Sequence, residues 1–195
     1  MRNAPLLDAL LSRRSVRPRR LTVPGPSPDE LRAIVSAGLR GSDHGGLRPW
    51  RLILLNDRDR LAAAFLAAER ELRPDGGDEM AARAVERARN GPCLLALAAR
   101  IDEGHPNVPA HEQWAAVGAA LNQMLLAAGA LGYAGGILSG AKTRTAALRG
   151  ALQLAAGEHI AGFLTFGTAS ADPPDAPVAD PDDFLSEWPP SPSKP

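Results

Sequence analysis

Between Glu112 and Leu131 the chain places Trp114, Val117, Leu121, Met124, Leu125 and Ala128 three and four residues apart, in a stretch otherwise padded with alanine. That period is helical. The stretch is apolar nearly all round, so it predicts a central helix that must be covered on most of its sides. Gly132 sits where a C′ glycine would end it. One small sheet cannot cover so much apolar surface, so the helix also points to assembly with a second copy.

The elements that could wrap this helix are legible on either side. Leu6, Leu7, Leu10 and Leu11 give Pro5–Ser12 one apolar helical face, expected to pack before the chain breaks near Pro18. Ser27, Pro28, Asp29 and Glu30 combine an N-cap serine, a proline at the first helical position and a glutamate at N3, and Leu31, Ile34, Val35 and Leu39 supply that helix's buried stripe. Residues 41–49 form a glycine-rich loop before a buried strand at 52–55. Helices are expected over 58–73 and 78–89, with polar, alanine-padded faces that suggest a peripheral position. Continuous apolar runs predict strands at 93–99 and 159–168, with a short strand at 134–138 and a helix at 143–154.

From Ser170 onward the chain holds eight of its 18 prolines, which reads as an extended tail and not as a domain. At 195 residues the remainder suits one compact domain. Helices first, then strands separated by helical stretches, support an α+β or α/β sandwich around one sheet.

Charge and cysteine content narrow the function classes. Twenty-two basic residues balance 22 acidic ones, so no global field would hold the chain on nucleic acid or a membrane surface. Aromatic residues make up only 4%, which leaves few platforms for base stacking. Cys93 is the single cysteine, so neither an internal disulfide nor a cysteine-based zinc site can form. No apolar run is long enough to span a bilayer and no secretory core precedes Leu21, so the expectation is a soluble cytoplasmic protein. The charges are unevenly placed: residues 1–60 carry twelve of the 20 arginines against six acids, while after Arg149 one lysine faces seven acids. An anion site would belong at the front; two solvated faces would give the same asymmetry.

Two segments stand out as candidate chemistry. Arg13, Arg14, Ser15 and Arg17 follow the first helix, and guanidinium forks beside a hydroxyl suit phosphate and carbonyl oxygens, although a solvated basic turn has the same composition. The loop from Arg40 to Trp50 offers His44 and glycines that let backbone N–H groups approach a planar ring or an oxyanion; a local hydrogen-bonding role for His44 is the alternative. The four histidines lack metal-helix spacing, and Cys93 lies among leucines as a core thiol would. Glu112 opens the long helix, where it could act as a general base or complement the helix dipole. Phosphate-loop, dinucleotide and nucleophile-elbow motifs are absent.

Taken in order, four pieces resemble the nitroreductase superfamily, in particular its short bacterial YdjA-like branch: Arg13-Arg14-Ser15; Gly38-Leu39-Arg40 through Asp43-His44 to Leu47-Arg48-Pro49-Trp50; Val108-Pro109 with Glu112-Gln113; and Gly162-Phe163-Leu164 ending at Gly167-Thr168. The resemblance spans about Leu6 to Thr168. It implies an α+β nitroreductase-like fold, with a mostly antiparallel central sheet flanked by helices in an intertwined homodimer. Residues 1–169 would form the FMN-binding domain, and 170–195 a proline-rich tail that is extended or wraps the partner.

It further implies an FMN-dependent NAD(P)H oxidoreductase that moves hydride through FMN to a small electron-poor acceptor by a ping-pong cycle, with no side-chain nucleophile. Matching residue by residue, Arg13, Arg14 and Ser15 fall on the first FMN segment, with Arg17 sharing the phosphate duty. Arg40 and His44 fall on positions contributed by the partner subunit, with Leu47 in the same loop. Ile137, Leu138 and Ser139 fall on the third segment, where the branch usually reads Trp-Arg-Ser-Gly or Trp-Thr-Gly and this chain reads Ile137-Leu138-Ser139-Gly140. An aromatic and a cation are missing there. A nitroreductase-like dimer with weak or lost flavin binding, serving as a binding or scaffold protein, is the alternative this departure leaves open.

Overall fold

The computed structural model describes residues 5–171 and 179–188. Its elements follow the chain as α1 (Pro5–Ser12), β1 (Leu21–Thr22), α2 (Pro28–Gly38), β2 (Trp50–Leu54), α3 (Arg58–Leu72), α4 (Asp78–Arg89), β3 (Cys93–Arg100), α5 (Ala110–Ala130), β4 (Ala134–Leu138), α6 (Ala146–Ala151) and β5 (Glu158–Ala169). The five strands make one sheet in the order β1-β5-β3-β2, with β4 also on β5, and every strand pair is antiparallel. This is the expected α+β architecture.

The apolar run at 93–99 becomes a strand buried on both faces. Cys93, Leu95, Leu97 and Ala99 join the core under α5 with Ile34, Met124, Leu164 and Phe166, while Leu94 and Ala96 join the opposite core with Leu61, Phe65, Leu148 and Phe163. Alternation of side chains along a strand produces both sets. On the second face Phe65 meets Phe163 edge to face, with ring centroids 5.3 Å apart, an arrangement favoured by the ring quadrupoles.

That second face corrects the peripheral placement expected for residues 58–73. Leu61, Ala64, Phe65 and Ala68 of α3 are buried and close one side of the sheet; alanines that look like padding in the sequence are what let this helix lie close. The helix expected over 143–154 is also shorter. The Thr145 hydroxyl donates to the Lys142 carbonyl and accepts from the Leu148 N–H, which ends one turn and starts α6. The largest departure concerns α1, which forms over the expected residues but buries none of them: Leu6 is 72% exposed and Leu7, Leu10 and Leu11 are exposed with it.

Within the tail, Asp180 caps a single turn at Pro181–Asp183; residues 172–178 and 189–195 lie outside the described part of the structure. The long helix α5 buries Gln113, Ala116, Val117, Ala120, Met124 and Ala128. Its other side, with Trp114, Asn122 and Gln123, is exposed in the single chain. Gln113 fixes its start: the side-chain amide donates to the carbonyls of Asp102 and Val108, and its oxygen accepts from the Asp102 N–H.

One charged group fastens β2, β3 and β5 together. The shielded carboxylate of Glu158 accepts two hydrogen bonds from Arg51, one from Arg100 and one from the Ala155 N–H, at 2.7–3.0 Å. The Arg51 bonds hold this carboxyl well below the usual range, against the opposing effect of burial, with Arg100 and Ala155 adding to them. A depressed carboxyl stabilises the fold above its unfolded value of about 4.3, and the contribution fades as pH falls below that. Glu158→Gln should therefore cost about 2–3 kcal/mol near neutral pH, less than the ~3–5 for a fully buried pair because Arg100 is half in water. Urea titrations at neutral pH and below about pH 4 should show the gap between variant and parent narrowing in acid.

Candidate functional site

A cleft of about 560 Å3 opens where β4 ends, on the α3 side of the sheet, a size in the range of small-molecule sites. Phe65, Leu72, Leu94, Leu138 and Phe163 make it apolar, and Arg17, Arg19, Arg73, Arg87 and Lys142 surround it with five cations against one acid, Glu69. Three residues singled out in the sequence line it: Arg17, Leu138 and Ser139. Gly140 continues this wall with φ +136°, a backbone state open to glycine, and a Cβ there would meet nothing within 4 Å.

The arginine turn reaches this region through β4. Ser15 and Gly135 form a parallel bridge, with the Val16 N–H donating to the Gly135 carbonyl at 3.0 Å. Glycine permits β4 to lie close on both sides: a Cβ on Gly136 would stand 3.3 Å from the Val16 carbonyl oxygen of the turn, and one on Gly135 would stand 2.6 Å from the Thr165 carbonyl oxygen of β5. Arg13 donates to the Ser15 hydroxyl at 3.3 Å. Arg14 turns back and donates to the carbonyls of Leu11 and Arg13, so its guanidinium finishes α1. Ile137 faces the other way and packs against the core under α5.

Arg40, His44 and Leu47 lie on the loop between α2 and β2. Glycines again set its course: a Cβ on Gly38 would strike Met124, and one on Gly41 would stand 2.8 Å from the Ala120 nitrogen, so the loop runs tight along α5. Asp43 then accepts from the N–H groups of Leu47 and Arg48. His44 Nδ1 is hydrogen-bonded to the Glu112 carboxylate at the first turn of α5, which gives Glu112 a partner beyond the helix dipole. Arg40 and His44 are exposed, and no hydrogen bond or ion pair among the described residues joins this loop to Arg13, Ser15 or Arg17. Cys93 is buried, and burial pushes its thiol up, as befits a core residue.

Comparison with known proteins decides the family. The nitroreductase family profile matches residues 10–168, and YdjA, a candidate NAD(P)H nitroreductase of Escherichia coli strain K12, is 33% identical over 168 residues, covering 83% of this chain and 87% of its own. The chain belongs to the nitroreductase family. The nitroreductase-like protein of Bacillus cereus shares the fold with a TM-score of 0.80 at 19% identity, covering 96% of this chain and 97% of its own. The NADPH:FMN oxidoreductase of Vibrio harveyi, solved with NAD+, aligns with a TM-score of 0.74 at 16% identity over 95% of this chain and 75% of its own.

Two residues of the cleft are not marked by the sequence. Glu69 is 4% exposed at its side chain and Lys142 19%, with Lys142 Nζ 3.0 Å from Glu69 Oε1 and 4.8 Å from the centre of the Phe65 ring. Burial raises the Glu69 carboxyl, yet Lys142, Arg73 and Arg87 together outweigh it and keep the group below its usual value. The available signal was the spacing of Phe65, Glu69 and Arg73 at four-residue intervals, which places one ring, one acid and one base on a single helix face. The seam of β4 gives a direct test of the site's framework. Gly135→Ala should destabilise the protein by roughly 1–3 kcal/mol through overpacking, read as a lower denaturation midpoint with an unchanged slope.

Proposed function

We propose that this nitroreductase-family chain is an FMN-dependent NAD(P)H oxidoreductase, working as a homodimer on a small electron-poor acceptor such as a nitroaromatic, quinone or enone. The cleft carries this reading: an apolar floor ringed by guanidinium and ammonium groups suits an electron-accepting ring that gains negative charge. Bound there, FMN would supply the redox chemistry that links NAD(P)H to the acceptor by a ping-pong cycle.

The side chains then have defined tasks. Arg13 and Ser15, already sharing a hydrogen bond, would neutralise and orient phosphate oxygens, and Arg17 would oppose charge at the cofactor or its phosphate. Leu138 and Phe163 would exclude water from one side of the ring, and Ser139 with Gly140 would let backbone come close to it. No acid, base or nucleophile is required of the protein in transferring hydride itself. Arg40, His44 and Leu47 would act on the partner's cofactor, with Glu112 holding the imidazole in one orientation.

Uncovered apolar surface supports the dimer. The four leucines of α1, Trp114 on α5, and Phe184, Leu185 and Trp188 of the tail are all exposed, Trp188 at 93%. Patches of this extent on a globular domain mark contact surfaces, and the tail's share fits an arm lying on the partner.

Purified protein should be yellow and release FMN on denaturation; colourless protein that ignores added FMN while remaining dimeric would identify the scaffold alternative instead. Arg13→Ala should weaken FMN binding by roughly 1.5–3 kcal/mol, measured by quenching of flavin fluorescence. Leu125→Asp, placed where α5 is only partly covered, should abolish the dimer or the fold, and a folded, soluble monomer-sized species on a sizing column is the milder form of that result.

A further inference from the structure

Among the described residues, three shielded side-chain polar atoms have no hydrogen-bond partner: Glu69 Oε2, Lys142 Nζ and Thr165 Oγ1. The first two belong to residues lining the cleft. Lys142 Nζ stands 3.0 Å from Glu69 Oε1 as an ion pair, which leaves its other N–H donors without an acceptor. Glu69 is anchored on its other oxygen, where Oε1 also accepts from Arg87 at 3.3 Å. A shielded ammonium with donors to spare beside a shielded carboxylate oxygen that has no partner is costly unless something in the cleft completes both.

The required partner can be described chemically. Nζ needs an acceptor and Oε2 needs a donor, side by side, on a ligand flat enough to lie on Phe65, Leu138 and Phe163. A carbonyl oxygen adjacent to an N–H meets both needs. We infer that the Glu69–Lys142 pair is a recognition site for an amide or imide edge, in which Lys142 donates to the carbonyl oxygen and Glu69 accepts from the neighbouring N–H. The lysine stem is flexible and part of it remains in solvent, so the ammonium can turn from the face of Phe65 toward a ligand. Two ligands of the proposed enzyme present this edge, the pyrimidine side of the flavin and the carboxamide of the nicotinamide, and the inference rests on the flavoenzyme reading in that respect. Acting from one turn beyond Ser139, Lys142 also restores a cation to a segment that lacks the arginine usual in this branch.

The test uses two variants and two ligand analogues that lack the N–H. FMN and 3-methyl-FMN are titrated into the apoprotein by fluorescence quenching, and KM is measured for NADPH, NADH and the 3-acetylpyridine analogue of NADH on the FMN-loaded enzyme. If the flavin supplies the edge, Lys142→Met and Glu69→Gln each weaken FMN binding by about tenfold or more, and the parent's discrimination against 3-methyl-FMN is lost in Glu69→Gln. If the nicotinamide supplies it, FMN affinity is unchanged, KM rises by a similar factor, and discrimination against the acetylpyridine analogue is lost. Variants that keep their far-ultraviolet circular dichroism and match the parent within about twofold on every ligand overturn the inference while leaving the flavoenzyme reading intact. Should the variants not fold, a parent protein that binds both members of each analogue pair equally well overturns it as well. A parent that takes up no FMN removes both this inference and the reading beneath it.

Discussion

The structure is governed by a helix that the described residues cover on only one side. Ala110–Ala130 buries Val117, Ala120 and Met124 in the core, and the opposite face has no cover among the described residues. The end of α2 and the loop after it approach α5 through glycine: Gly38 passes Met124 and Gly41 passes Ala120 at distances that leave no room for a Cβ. This closeness fixes the α2–β2 loop along the helix, and the Glu112 carboxylate then holds His44 at the helix's first turn. An uncovered helix face and a histidine loop displayed beside it are consequences of the same packing.

Charge was harder to read than apolar pattern, because arginine serves several purposes with one side chain. Of the arginines crowded into the first 60 residues, Arg17 and Arg19 line the cleft, whereas Arg14 finishes α1. Arg51 secures Glu158, and Arg58 donates to the carbonyls of Ala88, Gly91 and Pro92. The frontal excess of cations therefore combines site and scaffold, and composition alone could not separate them. Only the partner of each guanidinium does so.

The fold was largely legible in the sequence, and for identifiable reasons. The capping box at Ser27 and Glu30 forms as its spacing demands, and the short strand at 134–138 and the helices at 5–12 and 78–89 fall at their expected boundaries. What the sequence hid was long-range. An alanine-rich helix with a weak stripe looked peripheral until Phe65 met Phe163 across the sheet. The cleft was half legible: Arg17, Leu138 and Ser139 were marked by a resemblance in sequence, while Glu69 and Lys142, 73 positions apart, become a pair only when α3 is laid beside the turn that follows β4. No periodicity connects residues on separate elements.

That pair also explains how the family's usual arrangement can change at one segment without the site losing its character. A lone ammonium above an apolar floor would pay heavily for desolvation. Here the ammonium has a carboxylate 3.0 Å away and an aromatic face beneath it, and the carboxylate is in turn held by Arg87. With Arg17, Arg19 and Arg73 also at the rim, the single acid leaves the cleft strongly cationic. The missing tryptophan has no such substitute on that segment, since Ile137 turns into the core and only Leu138 reaches the cleft. This wall keeps a cation while its shape is set by Leu138, so under the oxidoreductase reading proposed above differences from relatives should be concentrated in which acceptor the cleft admits and be smaller in how it meets negative charge.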